Sequence, residues 1–284
     1  MSGADLVFEP VSAAVGARVS GADLTKPLSE GHRRQIIGGL HRYGMLLFRG
    51  QKLSDRDVVR FSAYIGHPEI YALRPEIRVE DCPELVNIAN IRDENGRLIG
   101  LPESGRQWHS DLQFKAEPSI ASALYCVECE AGDTEFSGMA AVYDAMPAPL
   151  KQRLAGLKGV NSYVIYNERY GNNARKMTEE QKRQVPDVEH PIVLSHPVSG
   201  RKALYVSEGM TARIAGLSPA ESDALIQELF AFSTRPEFLY RHVWQVHDLV
   251  LWDNRSTMHR ALPFDQKYRR HMKRSTIMRQ FDDV

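Results

Sequence analysis

The sequence predicts a mostly β protein, an antiparallel sandwich or jelly roll with helices packed outside it. Three observations lead there. Short runs of apolar, β-branched and aromatic residues dominate the second half of the chain. They do not alternate regularly with helical segments, as a doubly wound sheet would require. Helical periodicity is confined to four stretches, residues 29–43, 54–65, 140–157 and 219–232.

In chain order, the first two helical stretches bracket an apolar strand at 45–48, and strands at 85–91 and 120–127 follow. After the third helix come strands at 191–195 and 203–206, which form a hairpin: the run HPVSGRKALYV supplies Ser199-Gly200 as a turn. The fourth helix has Ser218 as N-cap and Pro219 at its first position, and its Leu225, Leu229 and Phe232 recur at helical spacing. Strands at 238–244, 249–252 and 274–278 close the chain. Without a linker, repeat or low-complexity tract, residues 1–284 are expected to form one domain.

Composition narrows the function. Lys plus Arg and Asp plus Glu number 36 each, so no global field favours nucleic acid or an anionic membrane. The opening MSGADLVFEPVSAAVG has no basic and then apolar signal pattern, and no run approaches the roughly 20 apolar residues that span a bilayer. Three cysteines, Cys82, Cys126 and Cys129, are too few for a disulfide framework and fit a reducing compartment. A cytoplasmic protein is expected. Its partners would be a small molecule and, at most, further copies of itself.

Two stretches carry chemistry. In Trp108-His109-Ser110-Asp111, residues two apart on an extended segment project from one face, so an imidazole and a carboxylate converge. A third ligand from a distant strand would complete two histidines and a carboxylate, the facial set that binds Fe(II) and leaves positions open. The second stretch is Trp252-Asp253-Asn254-Arg255-Ser256-Thr257-Met258-His259, where a turn-forming Asp-Asn follows a strongly apolar strand. His259 is the candidate third ligand, with His242 and His247 as rivals that spacing alone does not remove. Arg270 and Arg274 would face one side of a strand and could hold two anions, although KYRRHMKR read alone is a basic surface segment. Cys126-Val127-Glu128-Cys129 looks like half of a zinc knuckle, but without a second pair it reads as a strand entering a turn. His190 and His196 read as loop or strand-end residues.

LLFRGQKLSDRD, WHSDLQF, AGDTEF, HPVSGRKALYVSEG, RPEFLYRHVWQVHDLVLWDNRSTMHRALPF and RRHMKRSTI occur in an order and spacing that resembles the taurine dioxygenase and 2,4-dichlorophenoxyacetate dioxygenase family of Fe(II)/2-oxoglutarate oxygenases. The resemblance covers nearly the whole chain. It implies a double-stranded β-helix (jelly roll) core, with His109, Asp111 and His259 on iron, Thr134 and Arg270 on the 2-oxoglutarate carboxylates and Arg274 facing an acidic group of the substrate. The family's Gly-Gly-Asp-Thr is here Ala131-Gly132-Asp133-Thr134. It also implies the reaction: 2-oxoglutarate and O₂ give succinate, CO₂ and an oxidant that abstracts a hydrogen atom. A small residue in place of Asp111 would make room for halide, as in related halogenases, so the carboxylate argues for hydroxylation.

In taurine-oxidising members, a His and a Tyr on an early loop, an Asn before the first metal ligand and a later Phe enclose the substrate. Tyr71, Arg74, Gly105 and Met210 stand at those places here, and Tyr163 is the lid candidate among Tyr163, Tyr166 and Tyr170. Most taurine contacts are therefore missing, and the pocket should be larger and more adaptable. An aryloxyalkanoate-like carboxylate is the expected substrate, with an alkyl sulfonate, sulfate or taurine as the alternative. Outside the class, the rivals are a zinc hydrolase using metal-bound water and a jelly-roll binding protein with a structural metal.

Overall fold

A computed structural model describes residues 5–72, 74–170 and 177–279. In chain order the strands are Val7–Pro10 (β1), Ala17–Ser20 (β2), Met45–Phe48 (β3), Arg78–Val79 (β4), Cys82–Ala89 (β5), Ala121–Cys129 (β6), Thr134–Gly138 (β7) and Lys158–Asn161 (β8). Then follow Val188–Pro191 (β9), Val193–Ser195 (β10), Lys202–Leu204 (β11), Thr211–Ile214 (β12), Leu239–His242 (β13), Leu249–Asp253 (β14), Thr257–Ala261 (β15) and Arg270–Ile277 (β16). The helices are Glu30–Tyr43 (α1), Asp55–Ile65 (α2), Met139–Ala145 (α3), Ala148–Leu154 (α4), Tyr163–Tyr170 (α5), Glu179–Arg183 (α6) and Pro219–Ser233 (α7).

An eight-stranded sheet of order β1-β2-β3-β14-β6-β16-β5-β4 forms one layer, and the three strands β13-β7-β15 form the layer facing it. Strand alternation sorts their side chains. Leu249 and Leu251 of β14 turn outward to Ile36 and Leu40 of α1 and to Val58 and Phe61 of α2. Val250 and Trp252 turn inward with Val86, Leu124 and Met272 to meet Phe136 of β7. At roughly 1.5–3 kcal/mol for each large apolar side chain buried, these two layers dominate the stabilisation. A third cluster, with Met139, Leu204, Ile214, Leu225, Leu229 and Phe238, joins α3 and α7 to the hairpin β10-β11 and to the sheet β12-β8-β9.

The helices start on serine caps. Ser29, Ser54 and Ser218 each accept a hydrogen bond from a first-turn amide, and Ser54 and Ser218 complete reciprocal capping boxes with Asp57 and Glu221. The helix expected over 140–157 is two helices, because Pro147 removes an amide and disfavours helical backbone before it. The strand expected at 191–195 divides into β9 and β10, and β13 is shorter than expected because Phe238 closes a 3₁₀ turn. The hairpin forms, but on the loop 196–201, with His196 donating to Arg201 O and Gly200 at φ 68°. β16 starts at Arg270 rather than at 274, which places both arginines on one strand. No helix among the described residues is long and apolar enough to cross a membrane.

Candidate active site

β15 and the segment before β6 build the site together. His109 and His259 exchange both backbone hydrogen bonds, at 3.0 and 2.9 Å, as an isolated antiparallel bridge. Paired residues of such a bridge present their side chains to the same face, so the ring centroids lie 4.2 Å apart. Asp111 arrives differently from the extended geometry expected of His-x-Asp. It sits in a turn past the bridge, beside Leu112 at φ 55°. Its amide donates to Asn254 Oδ1, Ser119 Oγ donates to its carbonyl, and Ser122 Oγ donates to its Oδ2 at 2.7 Å. Asn254 anchors this turn by donating to both serines and accepting from Trp252 Nε1.

One ligand atom from each of His109, Asp111 and His259 lies within 4.8 Å of the others. The donor chemistry suits a cation. His109 Nδ1 is 2.7 Å from Gln107 O, and a carbonyl only accepts, so the proton is on Nδ1 and the Nε2 lone pair is free. Both Nε2 atoms are 3.8–3.9 Å from the nearest Asp111 oxygen, beyond hydrogen-bonding distance. Burial lowers the pKa of both histidines, that of His259 to about 3 with the neighbouring His109 adding to it, and a neutral imidazole is the ligating form. Burial is the largest single influence and opposes ionisation of Asp111, but Arg274, the two histidines beside it and the Ser122 hydrogen bond together outweigh it and hold the carboxyl well below its usual range. Two buried imidazoles and a carboxylate without mutual hydrogen bonds fit an iron(II) ion.

Gly105, His109, Thr134, His259, Arg270 and Arg274 line one cavity, with Leu124 and Trp252. Arg270 is buried, its Nε donates to Gly132 O at 3.1 Å, and no carboxylate pairs with its guanidinium among the described residues. Desolvation lowers its pKa against the opposing pull of Cys129, Cys126 and Asp133. Thr134, at the start of β7, accepts from Trp244 Nε1 at 3.0 Å. Arg274 Nη1 donates to Asp111 Oδ1 at 2.8 Å, while its buried Nε has no acceptor. Gly105 has φ 74°, and a Cβ there would stand 3.0 Å from His109 Cε1, so glycine is favoured by the backbone and by the His109 ring rather than by pocket volume alone.

Tyr71, Tyr163 and Met210 gather with Leu112 and Phe114 in an apolar cluster, in which Phe114 and Tyr163 rings are 4.5 Å apart. Arg74 is held by Glu76 at 2.6 Å, at the edge of this cluster. Phe114, Ser122 and Asn254 are the contributors that sequence reasoning missed. WHSDLQF and WDNR carried two of them, but nothing in the sequence showed that they meet.

The rival histidines lie elsewhere. His242 bonds the buried Asp248, and His247, at φ 73°, bonds Tyr125 Oη. A second group of two histidines and an aspartate does exist, at His41, His196 and Asp253. Asp253, read from sequence as part of a turn after a strand, is the last residue of β14 and fully buried. Both of its oxygens are taken by Arg255 and one also by His196 Nε2, while His196 Nδ1 accepts the amides of Val198 and Ser199. His41 Nε2 lies 3.3 Å from Arg255 Nη2. There the arginine is the cation.

Known proteins give the same picture. The family model "Taurine catabolism dioxygenase TauD, TfdA family" matches residues 8–276. An alpha-ketoglutarate-dependent 2,4-dichlorophenoxyacetate dioxygenase of Cupriavidus pinatubonensis is 33% identical, over 96% of this chain and 98% of that protein. An alpha-ketoglutarate-dependent sulfate ester dioxygenase of Pseudomonas putida is 30% identical over 91% of this chain and 84% of that protein. The crystal structure of AAD-2 in complex with Mn(II) and N-oxalylglycine superposes with a TM-score of 0.83 at 30% identity, covering 99% of this chain and all of that one. That of a taurine dioxygenase from Burkholderia xenovorans gives 0.79 at 32% identity, over 96% of this chain and 89% of the other. The jelly-roll core, the family motifs and these relatives agree: this chain belongs to the TauD/TfdA family and is an Fe(II)- and 2-oxoglutarate-dependent dioxygenase.

Proposed function

We propose that His109, Asp111 and His259 hold the iron, that Thr134 and Arg270 hold the carboxylates of 2-oxoglutarate, and that Arg274 receives the acidic group of an aryloxyalkanoate-like substrate. Iron with 2-oxoglutarate and O₂ supplies the oxidant that removes a hydrogen atom from the substrate, with release of succinate and CO₂. The chain's own contribution is to bind and orient. Ser122 and the Asn254-anchored turn fix the Asp111 carboxylate, and Gln107 O fixes the His109 tautomer. A buried arginine without a carboxylate partner favours a dianionic co-substrate, since its fork can meet a carboxylate in two hydrogen bonds.

The observation that carries the substrate class is the cluster of Tyr71, Phe114, Tyr163 and Met210, close enough to Arg274 for its charge to act on the Tyr71 hydroxyl. An acid with an aromatic body would place its ring among these side chains and its carboxylate at Arg274. Oxidation at the carbon between ether oxygen and carboxylate gives a hemiacetal, which collapses to a phenol and a 2-oxo acid. An alkyl sulfonate or sulfate ester is the second reading, favoured by the sulfate ester dioxygenase among the relatives. A cytoplasmic setting is inferred from the three free cysteines.

A panel of aryloxyalkanoates, alkyl sulfonates, alkyl sulfates and taurine, scored by succinate release, tests the reading. Aryloxyalkanoates should give the highest kcat/KM. Faster turnover of sulfates or taurine would overturn the carboxylate assignment while leaving the reaction class in place.

A further inference from the structure

Two thiols lie beside the 2-oxoglutarate end of the cavity, and nothing described above uses them. Cys126 and Cys129 both belong to β6, where residues three apart should point to opposite faces. Pairing with β16 shifts at this point: Cys126 faces Met272, Glu128 faces His271 and Cys129 faces Arg270. Val127 is thus the extra residue of a bulge, and the bulge turns both thiols to the face that carries Met272 and Arg270. Their Cα atoms stand opposite residues two apart on a strand, roughly 6.6 Å, within the ~4.4–6.8 Å that disulfides span. The two thiols are close enough for each to act on the other's ionisation.

Their neighbours belong to the cofactor end. Cys129 Sγ donates to Ala131 O at 3.2 Å; the next residue, Gly132, accepts from Arg270 Nε at 3.1 Å; Thr134 begins β7 just beyond. Cys126 is buried and Cys129 half-buried, so a small oxidant meets Cys129 first.

We propose that Cys126 and Cys129 are a peroxide-reactive dithiol, and that closing its disulfide pulls on the Ala131–Thr134 segment and weakens 2-oxoglutarate binding. The coupling rests on the reading of Thr134 and Arg270 given above; disulfide formation does not. The Cys129 sulfur attacks one oxygen of hydrogen peroxide, the O–O bond breaks, and one water leaves, giving a sulfenic acid. The Cys126 sulfur then displaces the hydroxyl group, which departs as a second water with the remaining thiol proton. Two thiols lose two electrons and two protons, and the peroxide is reduced to two waters. The neighbouring Cys126 thiol, with Arg270 adding to it, holds the Cys129 thiol below its ordinary range against burial and Asp133.

The test uses the full-length protein, titrated with hydrogen peroxide. The peptide carrying both cysteines is weighed without reduction, and 2-oxoglutarate affinity of the Mn(II)-loaded protein is measured by calorimetry. The expected peptide is two hydrogens lighter than the dithiol, with affinity weakened roughly tenfold, as for loss of part of one charge-assisted contact, and restored by dithiothreitol. Cys129→Ser and Cys129→Ala should abolish both changes, and Cys82→Ser, on the helix side of the sheet, should keep them. Unchanged thiols, or a disulfide to Cys82 or between chains, overturn the proposal. A Cys126–Cys129 disulfide with unchanged affinity overturns the coupling. Reduced protein that binds no 2-oxoglutarate overturns the cofactor reading and the coupling with it, and the peptide mass still reports on the dithiol.

Discussion

The chain builds two clusters from the same side-chain types, two histidines and one aspartate each: one joins the end of β14 to α1 and the loop after β10, the other joins β15 to the segment before β6. At His41, His196 and Asp253, both His196 nitrogens, His41 Nε2 and both Asp253 oxygens have partners, and Arg255 supplies the positive charge through Nε and Nη2 on the Asp253 carboxylate. At His109, Asp111 and His259 the two Nε2 atoms face a carboxylate from beyond hydrogen-bonding range, and a cavity opens beside them. Identical composition therefore supports opposite roles. What separates a structural knot from a candidate metal site is whether the imidazole lone pairs are already spent, because both aspartates accept hydrogen bonds but only the second cluster leaves its Nε2 ring nitrogens open to a cation.

The largest expected effect breaks the open cluster. His109→Ala, Asp111→Ala and His259→Ala should each abolish succinate formation with the far-ultraviolet circular dichroism unchanged, since these residues serve a ligand more than the core. Asp253→Ala should do the reverse: it strands the buried Arg255, at a cost of about 3–5 kcal/mol in urea unfolding. Wild-type stability in that variant would break the comparison.

Within the cavity, the two arginines are distinguished by their partners. Arg270→Ala removes a charge-assisted contact, so the 2-oxoglutarate requirement should rise for every substrate by roughly 1.5–3 kcal/mol, or about 10- to 150-fold, in steady-state kinetics. Arg274→Ala should raise the KM of the acidic substrate roughly tenfold or more and leave 2-oxoglutarate affinity nearly unchanged, with Arg274→Lys rescuing only part. Weaker 2-oxoglutarate binding with an unaffected substrate KM in Arg274→Ala would exchange the two roles.

The smallest effect sharpens the geometry. Gly105→Ala forces a side chain into a left-handed backbone and against His109, so about 1–3 kcal/mol of strain should appear as lost stability or weaker metal binding. Unfolding of the metal-free protein and metal titration separate the two.

The contrast also shows what a sequence carries. Helix starts at Ser29, Ser54 and Ser218 and the strands Met45–Phe48 and Leu249–Asp253 are local patterns of cap and periodicity, and they stand where the pattern puts them. His109, Asp111 and His259 were legible as residue types and through the family motifs. Their convergence was not legible in the way expected, since Asp111 is placed by a turn tied to Asn254, 143 residues away, and not by a strand. Asp253-Asn254 reads only as a turn after an apolar strand, because local chemistry cannot show that His196 and Ser122 will close over it. Strands such as Thr134–Gly138 and Thr257–Ala261 pass unnoticed for the same reason: their apolar content is low, and tertiary burial makes them strands.

The most direct test of the central claim, that His109, Asp111 and His259 form the open cluster, is anaerobic visible absorption of the protein with Fe(II) and 2-oxoglutarate. A 2-oxo acid chelated to ferrous iron gives a charge-transfer band, and zinc gives none. Wild-type protein should show the band on addition of 2-oxoglutarate, and His259→Ala should not. A folded, iron-loaded wild-type protein that stays silent, or a band that survives in His259→Ala, would contradict the account.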